Sequence, residues 1–192
     1  MITIRIIGID PALTHTGLAC ATVDMTTGDI DITHIALLKT EKGKDGKAVR
    51  LSSDDLRRVR ILSRGISTFV GVHNPALVVA EIPVGAQNAR AAFSNGVCYG
   101  LLAGIYAPMI EVSPREVKLA AVARVTASKA EMIEWASTRW PNLGWLKAKT
   151  KGVERLIDDN EHMADACGTI AAAVETIQFA QLMAVYRVKE AA

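Results

Sequence analysis

The chain has only three cysteines in 192 residues, Cys20, Cys98 and Cys167, far apart and set among small apolar neighbours. That number and spacing exclude a disulfide framework and a Cys-x-x-Cys zinc site, and predict buried thiols in a reducing cytoplasm. No apolar run reaches the roughly 18 residues a membrane span needs, and the N-terminus lacks the pattern of a signal peptide, so no membrane partner is expected. Low-complexity tracts, internal repeats and linkers are missing as well. What remains is half hydrophobic, with mean hydropathy +0.22. That composition predicts a folded soluble protein, long enough for one domain over 1–192 and short for two.

Excess charge of either sign is also missing: the net charge is +2. Its distribution is uneven, however. Residues 42–64 hold eight Lys and Arg against three acids, and residues 115–155 hold nine against four. Asp158, Asp159, Glu161 and Asp165 form a compact acidic patch. A solvated helix face explains either basic cluster alone; the two together beside acids fit cations that hold a polyanion and carboxylates that hold metal.

Three strands are expected over 2–9, 17–24 and 30–38, joined by turn chemistry at Thr26-Thr27-Gly28-Asp29 into an antiparallel meander. Gly17 is read as a close turn into the second strand. In the third, Ile30 and Ile32 and then, after Thr33-His34, Ile35 alternate with polar residues, as on a half-buried edge. Ser52 or Ser53 can cap a helix from Asp54 to Val72 with Leu56, Val59, Leu62 and Ile66 on one face. Pro75 to Glu81 is a β-branched run ending in an acid, like the run Ile2 to Asp10. Residues 87–107 form a helix whose Gly96, Gly100 and Gly104 permit close packing, inside the core or against a partner. Pro108 to Val112 is a further strand, followed by helices capped by Ser113 and Ser128, the second with Met132, Ile133, Ala136 and Trp140 inward. Residues 141–157 read as a basic loop carrying Trp145, and Glu161 to Val188 as one alanine-rich helix. The order β-β-β-α-β-α-β-α-α-α predicts an α/β fold: a mixed five-stranded sheet, three antiparallel strands and then parallel ones, flanked by helices.

Asp10 by itself reads as a turn or capping residue before Pro11. If the first and fourth strands are parallel neighbours, though, Asp10 and Glu81 lie at one sheet edge, roughly 5 Å apart. His162 and Asp165, three residues apart, share a helix face. His162 alone reads as a satisfied helix histidine, and His15 and His34 as structural. Three carboxylates meeting without a cation would raise one another's pKa. Hard oxygen ligands with one imidazole suit Mg²⁺ or Mn²⁺, and two such ions about 3.5–4 Å apart can drive phosphodiester hydrolysis.

The segments Ile-Gly-Ile-Asp10-Pro with Thr16-Gly17, Val-Val-Ala-Glu81, Pro114-Arg115-Glu-Val-Lys118 with Lys129, and Asp165-Ala166 resemble the RuvC-type Holliday junction resolvases of the RNase H-like superfamily. The likeness runs in order over nearly the whole chain. It implies an RNase H-like fold and a homodimeric, Mg²⁺-dependent endonuclease, with Mn²⁺ as a substitute, that nicks two opposed strands of a four-way DNA junction. Asp10, Glu81 and Asp165 match the family's metal-binding acids, and His162 stands where members have Asp or His. Lys118 and Lys129 match basic residues near the scissile phosphate. Arg57, Arg58, Arg115, Lys147, Lys149 and Lys151 are further candidates for DNA contact, the three lysines equally readable as a surface loop.

Three departures stand out. Ala12 replaces the usual glycine after Asp-Pro, Val84 stands where some members carry a wedging aromatic, and 141–157 is longer than in compact members; together they fit a divergent member of the kind phages encode. Two other classes compete with the resolvase. An actin-like ATPase also ends its first strand in Gly-x-Asp, but needs a second phosphate loop and more chain. A catalytically silent DNA-binding relative would keep buried acids with no metal to offset their cost.

Overall fold

The computed structural model describes residues 2–43, 50–150 and 152–190. Its central sheet has the order β3-β2-β1-β4-β5, built from β1 (Thr3–Asp10), β2 (His15–Asp24), β3 (Ile30–Lys39), β4 (Leu77–Glu81) and β5 (Met109–Val112). β1, β2 and β3 form an antiparallel meander, and β4 and β5 continue it in parallel, as expected. Gly28, at φ 84°, closes the β2–β3 turn. The broken alternation at Thr33-His34 marks a bulge: Cys20 pairs with His34 and Ala21 with Ile32, so Thr33 is the extra residue.

β1 is apolar on both faces because it is covered on both. Ile7, Ile9, Leu18, Cys20, Val78 and Ala80 face helices α1 (Leu51–His73) and α2 (Ala89–Ala103). Ile4, Ile6, Ala19, Val79 and their neighbours face α3 (Pro114–Val122), α4 (Lys129–Arg139) and α5 (Asn160–Val174). α3 and α4 each start on a full capping box, Ser113 with Glu116 and Ser128 with Glu131. The inward face expected of α4, Met132, Ile133, Ala136 and Trp140, is buried, and so are all three free cysteines.

The structure corrects the sequence reading in four places. α1 starts at Leu51 with Arg50 at the cap position and no side-chain cap, so neither serine serves, and Leu56 is exposed. The final helix is two: α5 is followed by α6 (Ile177–Glu190), bent from it by 64°. Thr176 makes the break, accepting a hydrogen bond from Phe179 N (3.2 Å) while donating to Ala173 O (2.6 Å). Ile177 and Val185 are therefore exposed instead of continuing the apolar stripe. Residues 141–157 are not an irregular loop: Lys147–Thr150 (β6) and Val153–Leu156 (β7) pair as an antiparallel ribbon. Trp145 is buried at its base, its indole N–H donating to Trp140 O at 2.9 Å, and presents no surface for base stacking. Of the two uses open to the glycine stripe, core packing is not seen at Gly96 and Gly100: among the described residues nothing lies within 4 Å of where their Cβ atoms would stand. Among the described residues no single helix is long and apolar enough to cross a membrane.

Candidate active site

β1 ends at Asp10 and its parallel neighbour β4 ends at Glu81; since Ile9 pairs with Ala80, the two acids are the next step of the same ladder. Alternation along the strands puts Asp10 and Gly8 on one face, with Glu81 and Val79 beside them. α5 comes down on this face where side chains are missing. A Cβ on Gly8 would stand 2.1 Å from Ala166 O, and one on Gly17 only 1.8 Å from His162 O. Only glycine admits a helix backbone so close. Gly17 pairs with Asp10 across the ladder, so it is no turn residue: it lies inside β2 and seats the first turn of α5 beside that acid. This contact brings His162 and Asp165 to the sheet edge.

His162 Nδ1 is hydrogen-bonded to Asp10 Oδ2 at 2.7 Å. His15 is stacked on that imidazole, with ring centroids 5.4 Å apart and planes within 5° of parallel. His15 Nε2 is 3.8 Å from Asp159 Oδ1, and Asp159 is ion-paired with Lys39. Lys129 Nζ is 2.5 Å from Glu161 Oε2. Sequence reasoning left His15 aside because nothing in its local pattern reports a ring stacked on it from the far end of the chain.

Burial, and after it the charge of Asp10, pushes the Glu81 carboxyl up to about 8, with Lys118 opposing. Asp165 is likewise pushed up to about 8, first by burial and then by Asp10 and Glu81. For His162, burial works to lower the pKa, but the hydrogen bond and charge of Asp10 outweigh it and the net direction is up. Cys98 lies under the same site: its thiol donates to Pro11 O at 3.2 Å, and burial together with the Asp10 charge raises it to about 11.

Among the described residues no three His, Cys, Asp or Glu groups stand close enough, as they are, to form a finished metal cage. The donor chemistry nevertheless fits a hard divalent cation. Asp165 Oδ1 is buried and finds no hydrogen-bond partner among those residues, which leaves a buried acceptor open to a cation. Asp10, Glu81, Asp165 and the His162 imidazole are the ligands a cation would draw together.

The basic candidates separate. Lys118 is near enough to Glu81 to act on its charge, and Lys129 is held at the site's rim by Glu161. Arg115 is exposed on the first turn of α3, and Lys147 and Lys149 are exposed on β6. Arg57 is half-exposed, with Nε 2.9 Å from Asp54 Oδ1. Lys151 lies outside the described residues. Arg58 is a correction: it is 2% exposed and cannot reach DNA. Its guanidinium donates to Thr40 Oγ1 (3.0 Å), Thr14 Oγ1 (3.0 Å) and Leu13 O (3.2 Å), beside Asp55, which Arg90 grips bidentately at 2.6 and 2.7 Å. The buried cation thus pins the loop that follows Asp10. The same loop accounts for Ala12. Thr16 Oγ1 donates to Ala12 O at 2.8 Å, and Ala12 does not take a positive φ, so no glycine is required. Val84 is exposed on the segment after β4.

No family model matches the sequence, and no curated protein matches it. Solved structures do. The chain is similar to Thermus thermophilus RuvC in complex with a Holliday junction substrate, at 22% identity and TM-score 0.60, over 88% of this chain and 92% of that one. It is similar to the yeast mitochondrial Holliday junction resolvase Ydc2, at 14% identity and TM-score 0.58, over 95% and 81%. A second Thermus thermophilus RuvC structure matches at 19% identity and TM-score 0.57, over 94% and 96%. The chain therefore has the fold of the RuvC-type Holliday junction resolvases.

Proposed function

We propose that the chain is a divalent-metal-dependent endodeoxyribonuclease that resolves four-way DNA junctions by paired nicks, with 1–192 acting as one nuclease domain. The observation that carries this reading is the meeting of Asp10, Glu81, Asp165 and His162 at one sheet edge, with two of the acids held toward neutrality by burial and mutual charge. Acids so placed destabilise a protein unless a cation offsets them. The fold shared with a RuvC structure that holds a Holliday junction supports branched DNA as the substrate.

Bound among these residues, two Mg²⁺ ions, or Mn²⁺ in their place, would supply an activated water and stabilise the leaving oxygen of the phosphodiester. The chain's part is to hold the ligands. Asp10 and Glu81 are fixed by two strand ends, and His162 and Asp165 by a helix that two glycines lock to the sheet. To serve as a ligand the His162 imidazole has to be neutral, and its Nε2 can hold a cation while Nδ1 stays bonded to Asp10. Lys118 and Lys129, beside Glu81 and Glu161, balance charge as the scissile phosphate enters. Arg57, Arg115, Lys147, Lys149 and Lys151 hold phosphates farther along the DNA. Paired nicks need two sites. A homodimer through the groove of about 320 Å³ between α1 and α2, lined by Val59, Ile66, Val97, Gly100 and Gly104, would provide them.

The test is a synthetic four-way junction incubated with the wild type and with Asp10→Asn, with and without Mg²⁺. Cleavage is expected from the wild type with Mg²⁺ alone, and binding without cleavage from the variant. Cleavage retained by Asp10→Asn would refute the site; linear duplex cut as fast as the junction would refute the substrate.

A further inference from the structure

The β6–β7 ribbon is a part of the chain for which the site itself has no use. Its ten residues, 147–156, carry Lys147, Lys149, Lys151 and Arg155 against one acid, Glu154. Lys147, Ala148 and Lys149 are exposed, and so is every residue of β7. Lys147 and Lys149 share one face by strand alternation, and Arg155, paired with Ala148, lies on the other. None of these three described cations takes part in an ion pair among the described residues.

An isolated two-stranded ribbon is marginally stable in water, so its position has to be set from its base. Here the base is fixed firmly. Asn160, fully buried, accepts from Leu146 N at 2.8 Å and donates to Leu146 O at 2.8 Å and Ile157 O at 2.9 Å, gripping both feet with one side chain. Trp145 anchors the entering strand. Asn160 is the first residue of α5, the helix that carries His162 and Asp165, and Asp159 just before it is paired with His15 and Lys39 at the site. The ribbon and the candidate active site thus share one rigid support.

We infer that the β6–β7 ribbon is a docking element for a duplex arm of the DNA, lying in a groove with cations on both faces toward the phosphate rims. This rests on the nuclease reading above and adds a contact outside the site. Charge chooses the occupant: a ribbon that exposes Lys147, Lys149 and Arg155 against Glu154 alone suits a polyanion and repels a basic surface. Dimensions agree, since four residues per strand reach about 14 Å and the major groove, about 12 Å wide, admits a two-stranded ribbon. Its rigid tie to α5 means that a duplex seated on it is held at a set distance from Asp10 and Asp165.

The experiment measures binding of the full chain to a synthetic four-way junction from 50 to 200 mM salt in the absence of Mg²⁺, for the wild type and for Lys147→Gln/Lys149→Gln/Arg155→Gln. Far-UV circular dichroism serves as a check of fold. Losing three phosphate contacts should lower the slope of log K against log salt by about 2.7, so that the affinity advantage of the wild type shrinks about 40-fold over that range. Hydroxyl-radical footprinting should show a protected patch in an arm lost while protection at the branch point stays. An unchanged slope and footprint would overturn the ribbon's role, as would a variant whose only change is loss of the dimer, which would assign the ribbon to a second copy. A wild type that does not bind the junction at all would instead refute the nuclease reading on which this one stands.

Discussion

Gly17→Ala tests the construction of the site more sharply than any substitution of a ligand. The added methyl carbon would meet His162 O at 1.8 Å, His162 C at 2.3 Å and Met163 N at 3.0 Å, all backbone atoms that cannot rotate away. To bring the closest contact to 3.0 Å, the first turn of α5 has to withdraw from β2 by about 1.2 Å. Overpacking of this kind costs about 1–3 kcal/mol, and each kcal/mol lowers the Tm of a domain this size by about 2–4 °C. The catalytic loss should be larger in proportion. His162 moves with that turn and Asp10 does not, and a misplacement of about 1 Å can cost on the order of 100-fold in rate. Thermal unfolding followed by circular dichroism, together with single-turnover cleavage of a four-way junction in Mg²⁺, reads both effects. We expect a Tm lower by about 2–12 °C and cleavage slower by about 100-fold, with junction binding reduced far less. A variant that melts within about 2 °C of the wild type and cleaves within about threefold of its rate would refute the claim that glycine at 17 is what seats His162 on Asp10.

Two further predictions concern stability. Glu81 and Asp165 keep their protons to about pH 8 in the folded chain but ionise near 4 when it unfolds, so between those values the native state binds more protons and stability falls as pH rises. The metal-free protein should therefore melt on the order of 10 °C higher at pH 5.5 than at pH 8. Glu81→Gln/Asp165→Asn should flatten that profile; an unchanged profile would contradict the assignment to these two acids. Arg58→Met should lower stability by about 3–5 kcal/mol in urea unfolding, because it leaves Leu13 O and Asp55 short of a buried partner. Arg57→Ala, its exposed neighbour, should leave the urea midpoint in place; equal effects at the two positions would deny Arg58 its structural role.

Much of this protein can be read from local pattern. The uninterrupted apolar run of β1 requires cover on both faces, the Ser-x-x-Glu spacings at Ser113 and Ser128 require helix starts, and the heptad-like placing of Met132, Ile133 and Ala136 decides which side of α4 turns inward. Two similar strands each ending in an acid are enough to suggest that Asp10 and Glu81 meet. These features depend on neighbours a few residues away, which is the range over which backbone geometry repeats. What depends on distant residues was decided only by the tertiary structure. Arg58 reads like the arginines around it, and is buried because Leu13, Thr14, Thr40 and Asp55 happen to converge on it. Trp145 reads as an exposed loop aromatic until Trp140 O and the ribbon's base enclose it. The alanine-rich run after Asn160 gives no warning of the bend at Thr176. Periodicity identifies which face of an element seeks cover but not what covers it. Thus the bond from His162 to Asp10, across 152 residues, exists only because Gly8 and Gly17 let α5 lie on the sheet.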